Sequence, residues 1–100
     1  MVKHIILWQL KDEITADKKI AVKAGIKTGL EGLMGKIDGL VEIEVETEGL
    51  ATSNADVMLY SVFENEEALK GYALHPAHVE VADTKVRPYT KTRLCLDFEV

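Results

Sequence analysis

VKHIILWQL, residues 2 to 10, is the stretch that decides the fold. Side chains alternate between the two faces of a β-strand, so every second residue shares a face. Here both faces are largely apolar: one carries His4, Ile6, Trp8 and Leu10, and the other carries Ile5 and Leu7. A strand with two apolar faces is covered on both sides. The pattern therefore predicts a central strand.

Three further strands are predicted, and only one of them repeats this pattern. Residues 55–64 are apolar on both faces, which again indicates a central strand. Residues 40–48 alternate apolar residues with four glutamates, and residues 90–100 alternate Leu94, Leu96, Phe98 and Val100 with Arg93, Cys95, Asp97 and Glu99. Both stretches have one apolar face, which is typical of edge strands.

Helical periodicity fills the segments between the strands. Residues 15–37 place apolar side chains at spacings of three and four, with Thr15 as the expected N-cap and Gly39 as the stop. Glycines at 25, 29 and 32 lie along an adjacent arc of this helix, although glycine destabilises a helix interior. Either a close approach of backbone, sheet or partner or simple sequence drift explains their presence. Asn65 is the expected cap of a second helix that ends near 72–74; a short third helix begins at Pro76, and Pro88 ends it.

The resulting order, β-α-β-β-α-(α)-β, predicts one ferredoxin-like α+β domain spanning residues 1–100 with antiparallel sheet order 4-1-3-2. Two helices cover only one face of such a sheet, yet the central strands are apolar on both. A second copy of the same sheet is the simplest cover for the open face. We therefore expect a homodimer that pairs sheet to sheet as a dimeric α+β barrel.

Composition excludes several classes of protein. The net charge of −5 lacks the basic surface expected of a nucleic-acid or anionic-membrane binder, and no signal peptide or membrane span is expected. The single cysteine, Cys95, is typical of a reducing compartment and predicts a cytoplasmic location. Alternate glutamates on a strand lie roughly 6.5 to 7 Å apart, too far to share one ion readily, so no metal is expected.

The stretch YALHPAHV, residues 72 to 79, concentrates the titratable side chains. Pro76 fits the first turn of a helix and disfavours helical backbone at His75. One interpretation brings Tyr72 and His78 into one cavity as a proton-transfer pair. The other is a helix break whose histidines satisfy backbone groups. Similarly, His4 is either a pocket residue or a hydrogen-bonded core histidine.

Residues 2–7 (VKHIIL), 11–15 (KDEIT) and 75–79 (HPAHV) resemble the stress-responsive A/B barrel (Dabb) family over essentially the whole chain. The resemblance implies a ferredoxin-like subunit that dimerises through its sheet, and many members have no assigned reaction. In a cofactor-independent polyketide cyclase of this family, olivetolic acid cyclase from plants, the matching positions make His78 the general base and Tyr72 its assistant. The implied substrate-binding residues are His4, Ile6, Trp8, Ile26 and Val57, with Val57 standing where the cyclase has a histidine.

Three functions are compatible with these sequence features. The chain is a module that binds a small apolar or aromatic molecule, a cofactor-independent cyclase or lyase that uses His78 and Tyr72, or a structural and stress-protective homo-oligomer. A cavity lined by His4, Tyr72 and His78 favours the first two. Side chains that fill this space favour the third.

Overall fold

A computed structural model describes residues 1–100 and contains one four-stranded antiparallel sheet with three helices on one face. The sheet order is β2-β3-β1-β4, which confirms the predicted topology. The strands are β1 (Val2–Leu10), β2 (Leu40–Glu46), β3 (Val57–Phe63) and β4 (Thr90–Glu99). The helices are α1 (Ala16–Glu31), α2 (Glu66–Leu74) and α3 (Pro76–Val81), and α3 continues into a π-helical turn (Ala82–Val86) and a 3-10 turn (Arg87–Tyr89).

Side-chain caps define where the first two helices begin. The Thr15 hydroxyl accepts a hydrogen bond from the Lys18 N–H (3.3 Å), and the Asn65 side chain accepts one from the Ala68 N–H (2.8 Å). Both predicted caps are therefore confirmed. No helix combines the length and the hydropathy that a membrane-spanning segment requires.

The end of α1 differs from the prediction. The helix stops at Glu31 with Gly32 as its C-cap, instead of continuing to residue 37. The following turns include Gly35 and Gly39, whose φ angles of 84° and 82° are incompatible with a right-handed helix. Leu33 and Ile37 are nevertheless buried. Their spacing therefore indicated buried positions correctly, although these residues lie in turns and not in a helix.

The pairing of β4 with β1 decides which face of β4 lies towards the helices. Ile6 lies opposite Cys95 and His4 lies opposite Asp97. Because directly paired residues share a face, the polar side of β4 lies on the helix side of the sheet. Its apolar side chains lie on the open face, where Leu94 and Leu96 are 65% and 64% exposed.

The second strand also departs from its predicted alternation. Its register with β3 shifts between Leu40 and Glu42, and this irregularity leaves Val41 39% exposed. Ile43 and Val45 remain buried against the helices as predicted. A bulge of this kind changes which side chains face the core.

Close contact between α1 and α3 positions the helix that carries His78. A Cβ built on Gly29 would lie 2.9 Å from the Val81 Cγ1 atom, closer than side chains tolerate. Of the two explanations for the glycine arc, close approach therefore holds at Gly29. The absence of a side chain there lets α3 pack directly onto α1.

Candidate functional site

The helix break between α2 and α3 forms as the sequence predicts. His75 is the last cap of α2, with its N–H donating to the Tyr72 carbonyl (3.1 Å), and its Nδ1 accepts from the Ala77 N–H (3.1 Å) at the start of α3. Pro76 occupies the first turn, where its missing N–H costs nothing. This break places Tyr72 and His78 on adjacent helices.

The rings of Tyr72 and His78 lie together. Their centroids are 4.1 Å apart with an interplanar angle of 34°, and the Phe63 ring packs edge-on against Tyr72 with a centroid separation of 4.9 Å. Tyr72 is 2% exposed, and its buried hydroxyl has no hydrogen-bond partner in the protein. Burial raises the pKa of this hydroxyl well above its usual range, against a smaller opposing effect of Arg93. Tyr72 is therefore a neutral donor at physiological pH.

His78 is half-buried next to Tyr72, and its Nδ1 lies 3.4 Å from the Ala73 carbonyl oxygen. A carbonyl only accepts, so this contact favours the tautomer with the proton on Nδ1 and a lone pair on Nε2. Desolvation lowers the pKa of His78 from its ordinary value, more than the hydrogen bond to Ala73 raises it. The neutral imidazole is the form that can accept a proton.

His4 supplies the third imidazole or phenol ring of the site. It is 6% exposed, and its ring centroid lies 6.0 Å from that of Tyr72. Its Nδ1 is paired with the Asp97 carboxylate. This pairing directs the opposite nitrogen, Nε2, away from Asp97. The sequence did not predict the contact between His4 and Asp97, because it indicated only that Asp97 is a polar residue of an edge strand.

A cavity of about 130 Å³ lies between the helices and the sheet at these residues. Of the predicted site residues it is lined by His4, Ile6, Trp8, Tyr72 and His78. Ile26 and Val57 belong to the hydrophobic core and lie outside the lining.

Residues that the sequence did not mark complete the wall. They include Ala82 and Val86 of the π-helical turn, and Arg87, Thr90 and Arg93. A wider surface depression of about 630 Å³ adjoins the cavity and shares His4, Leu69, Ala73 and Arg93 with it. The enclosed cavity therefore continues into an open one at the β4 edge.

Three possible metal ligands, His4, Cys95 and Asp97, also meet at this edge. The Cys95 Sγ lies 3.7 Å from His4 Nδ1 and 3.5 Å from Asp97 Oδ1. Zinc uses such a donor set, but here the groups satisfy one another. Burial raises the pKa of the Cys95 thiol, and the neighbouring Asp97 raises it further. The three side chains therefore form a hydrogen-bonded cluster at the β4 edge.

Taken together, the sheet order and the cavity define a ferredoxin-like α+β protein with a tyrosine–histidine pocket between helices and sheet. The chain belongs to the stress responsive A/B barrel domain (Dabb) family, whose profile matches residues 2–100. The family membership predicted from three short motifs is thus confirmed.

Solved structures agree with this assignment. A dimeric protein of unknown function and ferredoxin-like fold from Bacteroides fragilis is 33% identical, with 99% of this chain and 95% of that chain covered and a TM-score of 0.92. A dimeric ferredoxin-like protein of unknown function from Thermobifida fusca is 23% identical (99% and 90% covered, TM-score 0.79). Hydroxynitrile lyase from Passiflora edulis shares the fold at 15% identity (97% and 90% covered, TM-score 0.71). No functionally curated protein matches the sequence.

Proposed function

We propose that this protein binds a small apolar or aromatic molecule in the cavity beside Tyr72 and His78. The observation that carries the proposal is the Tyr72 hydroxyl, which is buried without a protein partner. Buried polar groups in folded proteins are nearly always hydrogen-bonded, because an unpaired group loses its hydrogen bonds to water without a compensating bond in the protein. An acceptor oxygen on a ligand would satisfy this hydroxyl.

The cavity is the size of a single ring. Its volume of about 130 Å³ is close to that of the roughly 150 Å³ engineered cavity that binds benzene. Its wall is mostly apolar, with Ile6 and Trp8 on the sheet and Ala82 and Val86 on the helical side. A ring would lie between these surfaces, and a longer substituent would extend into the adjoining depression.

The second candidate is an enzyme, a cofactor-independent cyclase or lyase. The observation that favours it is a neutral imidazole with a free Nε2 beside a neutral phenol. In a poly-β-keto substrate, His78 takes the acidic proton from the carbon between two carbonyl groups. The carbanion closes the ring on a second carbonyl, and Tyr72 donates a hydrogen bond to the oxygen as it becomes an oxyanion. His78 then returns its proton to that oxygen.

A ligand screen tests binding. Thermal-shift measurements would compare wild type with His78→Ala against β-keto acids, phenolic acids and polyketide lactones. A ligand at a hundred times its Kd adds about 2.7 kcal/mol, which moves a domain of this size by several degrees. We expect a shift in wild type that His78→Ala reduces. His75→Ala is the matched control, because His75 caps α3 outside the cavity lining and its loss should leave the ligand shift intact.

The same screen separates the three functions. Ligand-dependent stabilisation together with product formation that His78→Ala abolishes would support the enzyme. Stabilisation without any product would support a binding module. No shift with any compound would refute both proposals and favour a structural, stress-protective role.

We further propose that two copies pair through the open face of the sheet. This face exposes Leu7, Leu94, Leu96 and Phe98 in one contiguous apolar surface, with Met58 and Tyr60 beside them. Apolar surface of this extent marks an interaction site. The 33% identical structure from Bacteroides fragilis is dimeric, which supports a second copy as the partner.

We also propose a cytoplasmic location, because a single free cysteine, Cys95, is typical of proteins from a reducing compartment.

Light scattering on paired variants tests the dimer. We expect wild type to run at twice its monomer mass of 11.1 kDa and Leu96→Glu to shift towards monomer, because a carboxylate in the interface is desolvated. Leu74→Glu is the control, since Leu74 is equally apolar and 81% exposed but lies at the end of α2. A wild-type monomer at micromolar concentration would refute the dimer.

A further inference from the structure

We propose that the ligand of this cavity is an anion that bears a carboxylate, and that Arg93 is the residue that selects it. This inference rests on the proposed binding function and names the chemical class of the ligand. Two observations support it: the kinds of polar group that line the cavity, and the position of Arg93 at its opening.

The polar groups of the wall are predominantly hydrogen-bond donors. Tyr72 offers an unpaired O–H, and Arg87 and Arg93 offer guanidinium groups, which only donate. No aspartate or glutamate lines the cavity. A ligand that satisfies this wall must bring acceptor oxygens, and the guanidinium groups favour a negative charge on them. The carboxylates nearby, Glu66, Asp97 and Glu99, line the adjoining depression and not the cavity.

Of the two arginines, Arg93 is the one available to a ligand. Arg87 is already paired with Asp83, one helical turn away, whereas Arg93 forms no ion pair. Arg93 pairs with Trp8 across β1 and β4 and lines both the cavity and the adjoining depression. It therefore stands where a ring in the cavity would present a substituent to the opening.

Electrostatic effects on neighbouring groups support the position of this charge. Arg93 acts to lower the pKa of Tyr72, His78 and Cys95, although burial is the largest influence on each. A positive charge that stabilises a phenolate or thiolate in these positions would equally stabilise a carboxylate placed between them. The protein as a whole carries a net charge of −5, so attraction of an anion depends on this local arrangement.

Two probes of nearly equal shape test the inference: 4-hydroxybenzoate, which is anionic at pH 7, and the neutral 4-hydroxybenzamide. Calorimetric titration of wild type should show tighter binding of the acid by roughly tenfold, the scale expected of a charge-assisted, bidentate contact at a partly exposed site. Arg93→Gln should remove most of this preference while it leaves amide binding unchanged. Lys36→Gln makes the same change in net charge at an exposed residue outside the cavity, so it should retain the full preference.

The outcomes separate this inference from the proposed function. Equal affinity for acid and amide in wild type, or an unchanged preference in Arg93→Gln, would overturn the anion selectivity while the binding cavity stood. Binding of neither probe would also overturn the selectivity for ring carboxylates. In that case the β-keto acid and lactone screen would decide separately whether the cavity binds anything.

Discussion

Replacing Tyr72 with phenylalanine should stabilise the unliganded protein, which is the opposite of what most buried Tyr→Phe substitutions do. A typical buried hydroxyl makes a hydrogen bond whose loss costs about 1 kcal/mol. The Tyr72 hydroxyl has no protein partner, while its ring packs against Phe63 at 4.9 Å and against His78 at 4.1 Å. Tyr72→Phe keeps these ring contacts and removes the desolvated oxygen.

The expected gain follows from the desolvation of that oxygen. A buried unsatisfied hydroxyl costs about 1 to 3 kcal/mol in proteins, and the lower end applies here because Tyr72 borders a cavity and is not enclosed on all sides. We expect the free energy of unfolding to rise by about 1 kcal/mol. For a domain of this size that raises the Tm by roughly 4 to 8 °C.

Urea unfolding followed by the fluorescence of Trp8 measures this change. All variants must be compared at one protein concentration, because dimerisation makes apparent stability depend on concentration. Tyr89→Phe is the control: Tyr89 is only partly buried, so its change should stay within about 0.5 kcal/mol. A loss of 1 kcal/mol or more in Tyr72→Phe, with an unchanged m-value, would refute the reasoning, because it would show that the hydroxyl is satisfied. The same variant should lose ligand-induced stabilisation despite its greater stability.

Two further predictions concern the turn before β2 and the pH dependence of stability. Gly39→Ala should lower the free energy of unfolding by about 3 kcal/mol, because it combines a positive φ with a clash against Ala68. Gly35→Ala has a similar φ but open space around it, so it should lower that free energy by about 1 kcal/mol. Chemical denaturation of both variants measures the difference. Stability should fall as pH is lowered through about 6.5 towards the lower folded pKa of His78, because the unfolded chain then binds a proton that the folded chain does not. His78→Gln should flatten this slope and His75→Gln should not; an equal slope in His78→Gln would contradict the assignment.

Much of the fold could be predicted because its evidence is local. Apolar residues on both faces of β1 and β3, and on one face of β2 and β4, identify central and edge strands without any knowledge of pairing. The caps Thr15 and Asn65 and the break at Pro76 depend on neighbouring residues only. The end of α1 was predicted six residues too late, at residue 37 and not at Glu31, because Leu33 and Ile37 are buried in turns and mimic helical spacing.

The sequence by itself determined which strands are central, which lie at the edges, and where the helix breaks at Pro76, because each follows from backbone preferences and side-chain periodicity within a short segment. It left the pairing of Tyr72 with His78 as one of two interpretations. Only the tertiary structure decided that the two rings lie together, and what surrounds them. The contact of His4 with Asp97 joins residues 93 positions apart, and it exists because β4 pairs with β1 in one register. A shift of one residue in that register would turn Arg93 to the open face of the sheet and Leu94 to the cavity. No local pattern in β4 specifies this choice, so the charge at the cavity opening depends on strand pairing.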